Sequence, residues 1–235
     1  MNMMLMLGIL AVVFFAAMIL MSCYRDKLDH EIINRLFILV NTVFLFAWTY
    51  AGYELGWLKD GFMTLENISP YISTVISASV FLNKKVKSYA YAAIAFLALG
   101  MFLAMFISPG HEALFNYRTE VRFIHVTEAA CHLIMSLYGF YLILSGRVKL
   151  KLSSFGRSVV FMLVSVFYGV FLNWCFHLGN FGMNMYGGYS IYFLDIFDSF
   201  AATFAAYLFG IVLVLTLGFV AGMGLDKFTK IKNEE

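Results

Sequence analysis

The stretch from Val121 to Ser145, VRFIHVTEAACHLIMSLYGFYLILS, is long and apolar enough to cross a bilayer, yet it carries Arg122, His125, Glu128 and His132. Their steps of three, three and four residues fall on one face of a helix that turns about 100° per residue. An ionisable side chain at mid-membrane costs roughly 3 kcal/mol on insertion scales. Four of them on one stripe must therefore turn away from lipid, towards a polar cavity or towards each other. This stripe is the expected functional centre.

The solvent follows from composition. A chain of 235 residues that is 62% hydrophobic, 18% aromatic and 13% charged reads as an integral membrane protein. Two prolines and 18 glycines exclude a disordered or collagenous chain. Nucleic acid is excluded as a partner, because the basic residues sit in short connections and form no basic surface. Cys23, Cys131 and Cys175 all lie in apolar runs, and their odd number argues against a disulfide framework.

About 20 apolar residues are needed to cross the hydrocarbon core. Seven runs qualify: Met3–Cys23, Ile33–Tyr53, Ile68–Leu82, Tyr89–Ser108, Val121–Ser145, Ser158–His177 and Asp198–Gly222. The third is short, and Ser108-Pro109-Gly110 ends the fourth. Alternate connections hold Arg25 and Lys27, then Lys84, Lys85 and Lys87, then Arg147, Lys149, Lys151 and Arg157; the tail adds Lys227, Lys230 and Lys232. The excess of basic residues on one side predicts that these connections and the C-terminus are cytoplasmic and the N-terminus outside. The first run has no basic residues ahead of it and Arg25 and Lys27 behind it, so it reads as a span and not as a signal peptide. The expectation is an all-α, multi-pass protein of the cell membrane, with residues 1–235 forming a single seven-helix transmembrane domain.

In that topology the polar residues within the spans gather in the outer leaflet. His125 and Glu128 lie in the outer half of the fifth span, with His132 deeper. Asn173, Trp174 and His177 end the sixth span, and Asn180 follows. Asp195 and Asp198 open the seventh; Ser69, Pro70, Ser73 and Thr74 open the third. The inner halves of the fourth, fifth and seventh spans read as apolar. Together these predict a polar pocket open or gated towards the outer face, lined by Arg122, His125, Asn173, His177, Asn180 and Asp198.

Each residue also has a plain structural reading. Either histidine can be a core residue bonded to backbone or hydroxyl groups. Asp198 can mark a solvated helix start, and His177 and Asn180 can cap the sixth helix. Glu128 is harder to set aside, since a carboxyl in a membrane helix needs Arg122, a histidine or a proton. Three chemistries fit the set: a divalent metal held by His125, Glu128 and His132, a histidine acting as base for a hydroxyl on another span (Thr74 or Ser73), or a proton or substrate site in a transporter. The spacing His-x-x-Glu-x-x-x-His is not an established ligand box. No inverted repeat supports a transporter.

From about Leu28 to Gly222 the order of features resembles the bacterial YwaF family and the related transmembrane protein 164-like proteins. The resemblance rests on Pro70 at the start of the third span, the Ser108-Pro109 break and the run Phe115-Asn116-Tyr117-Arg118. It also includes a histidine inside the fifth span and Asn173 followed by Gly179-Asn180-Phe181. It implies seven helices with the N-terminus outside, and a fold shared with the androgen-induced hydrolases that cleave fatty-acid esters in the membrane. There a Thr or Cys and a His on separate helices form the catalytic pair. Where such proteins carry Pro-x-His-x-Cys, this chain reads Pro70-Tyr71-Ile72-Ser73-Thr74, which places Thr74 at the cysteine position and Ile72 at the histidine position. The departure speaks against thiol chemistry and leaves a threonine nucleophile.

The family histidine is matched to His132, with His125 the alternative. The resulting expectation is a lipid acyl hydrolase or acyltransferase without cofactor, with membrane lipid as its partner. Thr74 would be nucleophile and His132 base. Glu128 or Asp198 would orient the base, and Asn173 or Asn180 would donate to the oxyanion. The alternative is a small-molecule or ion transporter, or a ligand-binding membrane protein, using the same pocket without covalent chemistry.

Overall fold

A computed structural model describes residues 3–54, 68–107, 123–176, 183–184, 190–191 and 200–231. Each expected span falls on a helix: α1 (Met3–Cys23), α2 (His30–Glu54), α3 (Ile68–Ala78), α4 (Lys84–Ile107), α5 (Phe123–Leu144), α6 (Leu152–Phe176) and α7 (Phe200–Ile231). Short 3₁₀ turns, Arg25–Lys27 and Ser79–Phe81, follow α1 and α3. Two residue pairs, β1 (Met183–Asn184) and β2 (Ser190–Ile191), form a small antiparallel ribbon between α6 and α7. Five helices, α2, α4, α5, α6 and α7, contain stretches long and apolar enough to cross a membrane; Gly8–Cys23 and Ile68–Phe81 are shorter apolar helical stretches.

The helix boundaries have local causes. The Asp29 carboxylate accepts hydrogen bonds from the backbone N–H groups of Glu31 and Ile32, so α2 begins ahead of its apolar run. Asn83 does the same for Val86 at the start of α4. After α5 the chain turns at Gly146, whose φ of 71° is open to glycine at little cost. The last helix runs on to Ile231, past the expected end at Gly222. Gly222 there packs against Ile143 and Leu150 and remains helical.

The bundle is built around α4, which packs on α5, α6 and α7, while α2 covers α5 and carries α3. Every residue from Ala90 to Leu99 is buried. Small residues let the backbones of α4 and α7 meet: a Cβ at Gly218 would stand 1.7 Å from the Phe96 carbonyl oxygen, and one at Gly100 would stand 1.9 Å from that of Val214. Phe14 of α1 stacks on Phe102 of α4. The outward helix faces carry large apolar side chains, among them Val12, Phe46, Phe167 and Phe209, each more than half exposed. In water such a surface would aggregate; in a bilayer it is the solvated face.

One end of the bundle gathers the basic connections. Arg147, after α5, pairs with Glu31 at the start of α2 at 2.9 Å, and Arg157 of α6 lies over Tyr89 of α4. Leu150 meets Gly222 of α7 at the same end. The sorting of charge along the sequence is thus a sorting of charge in space.

Candidate functional site

Helix α5 turns the two described members of its polar stripe inward. Glu128 and His132 are both buried, at 7% and 8% exposure. One helical turn separates them, and the His132 Nδ1–H donates to the Glu128 backbone carbonyl at 2.8 Å. A carbonyl oxygen only accepts, so in the neutral imidazole the proton sits on Nδ1 and Nε2 offers a lone pair. The Ser69 hydroxyl of α3 lies 2.9 Å from that Nε2 and is its donor. Backbone carbonyl, imidazole and serine hydroxyl thus stand in line, in the order that activates a hydroxyl: an orienting acceptor, a base and a nucleophile. His132 precedes the end of α5 by twelve residues, which places it about 18 Å from the basic end at 1.5 Å per residue.

The surroundings are tightly packed. The Trp48 indole of α2 lies against the His132 ring, centroids 5.7 Å apart. Among the described residues two buried side-chain polar atoms have no hydrogen-bond partner, Trp48 Nε1 and Ser79 Oγ. An unpaired buried donor costs about 1–3 kcal/mol. Beside His132 a small crevice of about 10 Å³ lies between α3, α4 and α5, lined by Ile72, Leu97, Met101, Phe102 and Met135, with Ser136 beside them. Its walls are largely apolar.

Thr74, the expected nucleophile, lies one helical turn further along α3, where its hydroxyl donates to the Pro70 carbonyl at 2.8 Å. This back-bond to the preceding turn is the ordinary state of a hydroxyl in an apolar helix. The Ser73 hydroxyl, the other candidate, is buried and donates to Asn41 Oδ1 at 2.7 Å. His125 lies within α5, but its side chain is outside the described residues, as is that of Asn173 within α6. Arg122, His177, Asn180 and Asp198 also fall outside the described residues. Among the described residues no three His, Cys, Asp or Glu side chains come together. A metal on His132 would have to displace Ser69 from Nε2 or the Glu128 carbonyl from Nδ1.

The structure adds Ser69, Trp48 and Asn41 to the acting groups expected from the sequence. Asn41 clamps α2 to α3: its Nδ2 donates to the Ser73 carbonyl and the Ser77 hydroxyl, while its Oδ1 accepts from Ser73. Thr42 adds a bond to Ser77. Interior polarity also extends towards the basic end, where an apolar interior was expected. There the buried Tyr138 hydroxyl donates to Asn34 Oδ1 at 3.0 Å, and Tyr141 bonds the His30 carbonyl. A signal for this was present: His30, Asn34, Asn41 and Trp48 recur along α2 at steps of four, seven and seven, which is one helical face.

Comparison with known proteins gives no match: no family model matches the chain, and no curated protein or solved structure does. The class defined by the fold and its apolar surface is an all-helical bundle with several helices able to cross a membrane.

Proposed function

We propose that the protein is a membrane-embedded hydrolase or acyltransferase acting on a lipid ester, with Ser69 as nucleophile and His132 as base. The observation that carries the reading is the hydrogen bond between Ser69 and the Nε2 of His132, with Nδ1 held by a backbone carbonyl. In the first step the Ser69 oxygen bonds to the ester carbonyl carbon while its proton passes to Nε2. The bond to the alcohol oxygen then breaks, and the alcohol leaves with that proton. Water, or a second alcohol in a transferase, attacks the Ser69 ester, gives its proton to His132 and releases the acyl group; the proton returns to Ser69. The apolar side chains lining the small crevice beside His132 would part to meet the acyl chain. The resemblance to the YwaF-like proteins points to the same chemistry with Thr74 in place of Ser69.

In this reading seven helices span the cell membrane. The basic end faces the cytoplasm by the excess of positive charge, the N-terminus lies outside, and lipid enters from the outer leaflet. A second reading is favoured by the buried Asn41, Ser73, Asn34 and Tyr138 groups and the half-buried Ser77, which extend polarity beyond the dyad: a transporter or ligand-binding protein without covalent chemistry.

A fluorophosphonate probe on the full-length protein in detergent separates the readings. Labelling that disappears in Ser69→Ala and in His132→Ala supports the enzyme. Labelling lost only in Thr74→Ala moves the nucleophile to that residue, and a protein that never labels favours the binder.

A further inference from the structure

The Ser69 and Trp48 side chains both stand against the His132 ring, and they differ in one respect. The Ser69 hydroxyl is engaged with Nε2. The Trp48 indole, tilted 57° to the imidazole, keeps its N–H unbonded among the described residues, although the side chain is only 2% exposed. An indole N–H donates and never accepts, so an acceptor must come from elsewhere. Interiors seldom leave such a donor unpaired, and one beside a serine and histidine pair calls for an explanation. Histidine is the common neighbour of both groups.

We propose that Trp48 Nε1–H is the oxyanion donor of this site, taking the carbonyl oxygen of the lipid ester attacked by Ser69. The inference rests on the acyl-transfer reading. As the Ser69 oxygen bonds to the carbonyl carbon and its proton moves to His132 Nε2, the carbonyl π pair shifts to oxygen. The anion so formed accepts the Trp48 N–H bond. When the tetrahedral intermediate collapses, that pair restores C=O, the carbon–alkoxide bond breaks, and the alcohol leaves with the proton from His132. A neutral donor suits a dry interior, because it stabilises the developing charge without a buried cation of its own. The site is tuned to the intermediate and not to the ester, so the effect falls on turnover rather than binding.

The test uses full-length protein in detergent, p-nitrophenyl octanoate as substrate and an octyl trifluoromethyl ketone as mimic of the intermediate. Trp48 is replaced by phenylalanine and, separately, by benzothienylalanine, which keeps the indole shape with sulfur in place of N–H. Expected in both is a fall in kcat of about a hundredfold, with KM within about threefold and a parallel loss of affinity for the ketone. If Trp48→Phe fails to fold, the shape-preserving variant alone decides. Wild-type turnover in the benzothienylalanine protein, alongside an inactive His132→Ala, overturns the role of Trp48 and leaves the hydrolase reading standing. A wild-type protein that neither turns over the ester nor binds the ketone overturns both.

Discussion

Ser69 and His132, 63 residues apart in the chain, meet at 2.9 Å inside the bundle. Because Nδ1 of His132 is held by the Glu128 carbonyl, the ring presents Nε2 to that serine. Ser69→Ala and His132→Ala are each expected to lower ester turnover by about a thousandfold or more. Thr74→Ala, whose hydroxyl is bonded to Pro70, is expected to stay within about threefold of wild type under the same criterion for a non-participating residue. Steady-state kinetics on the three purified variants check this.

Glu128 contributes its backbone carbonyl to His132. A role confined to that carbonyl survives a change of side chain. Glu128→Gln is therefore expected to keep kcat within about tenfold of wild type, against the far larger loss seen when an orienting carboxylate is removed from a triad. A loss of a thousandfold or more in Glu128→Gln would instead make its carboxyl the orienting group.

Asn41 closes three hydrogen bonds to Ser73 and Ser77 in the seam between α2 and α3. Asn41→Leu removes all three and leaves the buried Ser73 hydroxyl without its acceptor. The expected cost is about 1–3 kcal/mol, at the upper end of hydrogen bonds measured between membrane helices. Thermal unfolding in detergent should shift downward accordingly. Activity at low temperature should fall as well, because α3 carries Ser69.

The glycines of α7 divide into two kinds. Gly218→Val places a Cβ against the Phe96 backbone carbonyl, which is fixed in the central helix, and should prevent α4 and α7 from packing. Gly222→Ala meets only the ends of the Ile143 and Leu150 side chains, which can turn aside, and should fold normally. Expression and a monodisperse elution profile distinguish the two.

The basic end offers a test of orientation. A cysteine at Lys149, an exposed position beyond α5, should react with a membrane-impermeant maleimide only after cells are opened, in a Cys23→Ser, Cys175→Ser background. Labelling on intact cells would invert the topology.

Much of this architecture was visible in the chain. Bilayer insertion depends on the length and charge of each run, and these are local properties. Hence all seven expected spans fall on helices, and the described lysines and arginines of the short connections collect at one end. The inward face of α5 was equally legible at Glu128 and His132, because charge in hydrocarbon leaves few alternatives. The boundaries at Asp29 and Asn83 were less so, since a capping side chain lengthens a helix beyond its apolar run.

Partner choice belonged to the fold. Ser69, Ser73 and Thr74 share a few residues of α3, and nothing in their order says which one meets His132. Helix rotation and the position of α2 gave Ser69 to the histidine, Ser73 to Asn41 and Thr74 to its own backbone. The same packing set Trp48 against the imidazole with its N–H unbonded among the described residues. Period and polarity are written along one helix at a time, whereas a hydrogen bond between helices depends on their mutual rotation, depth and tilt, which only the assembled bundle supplies.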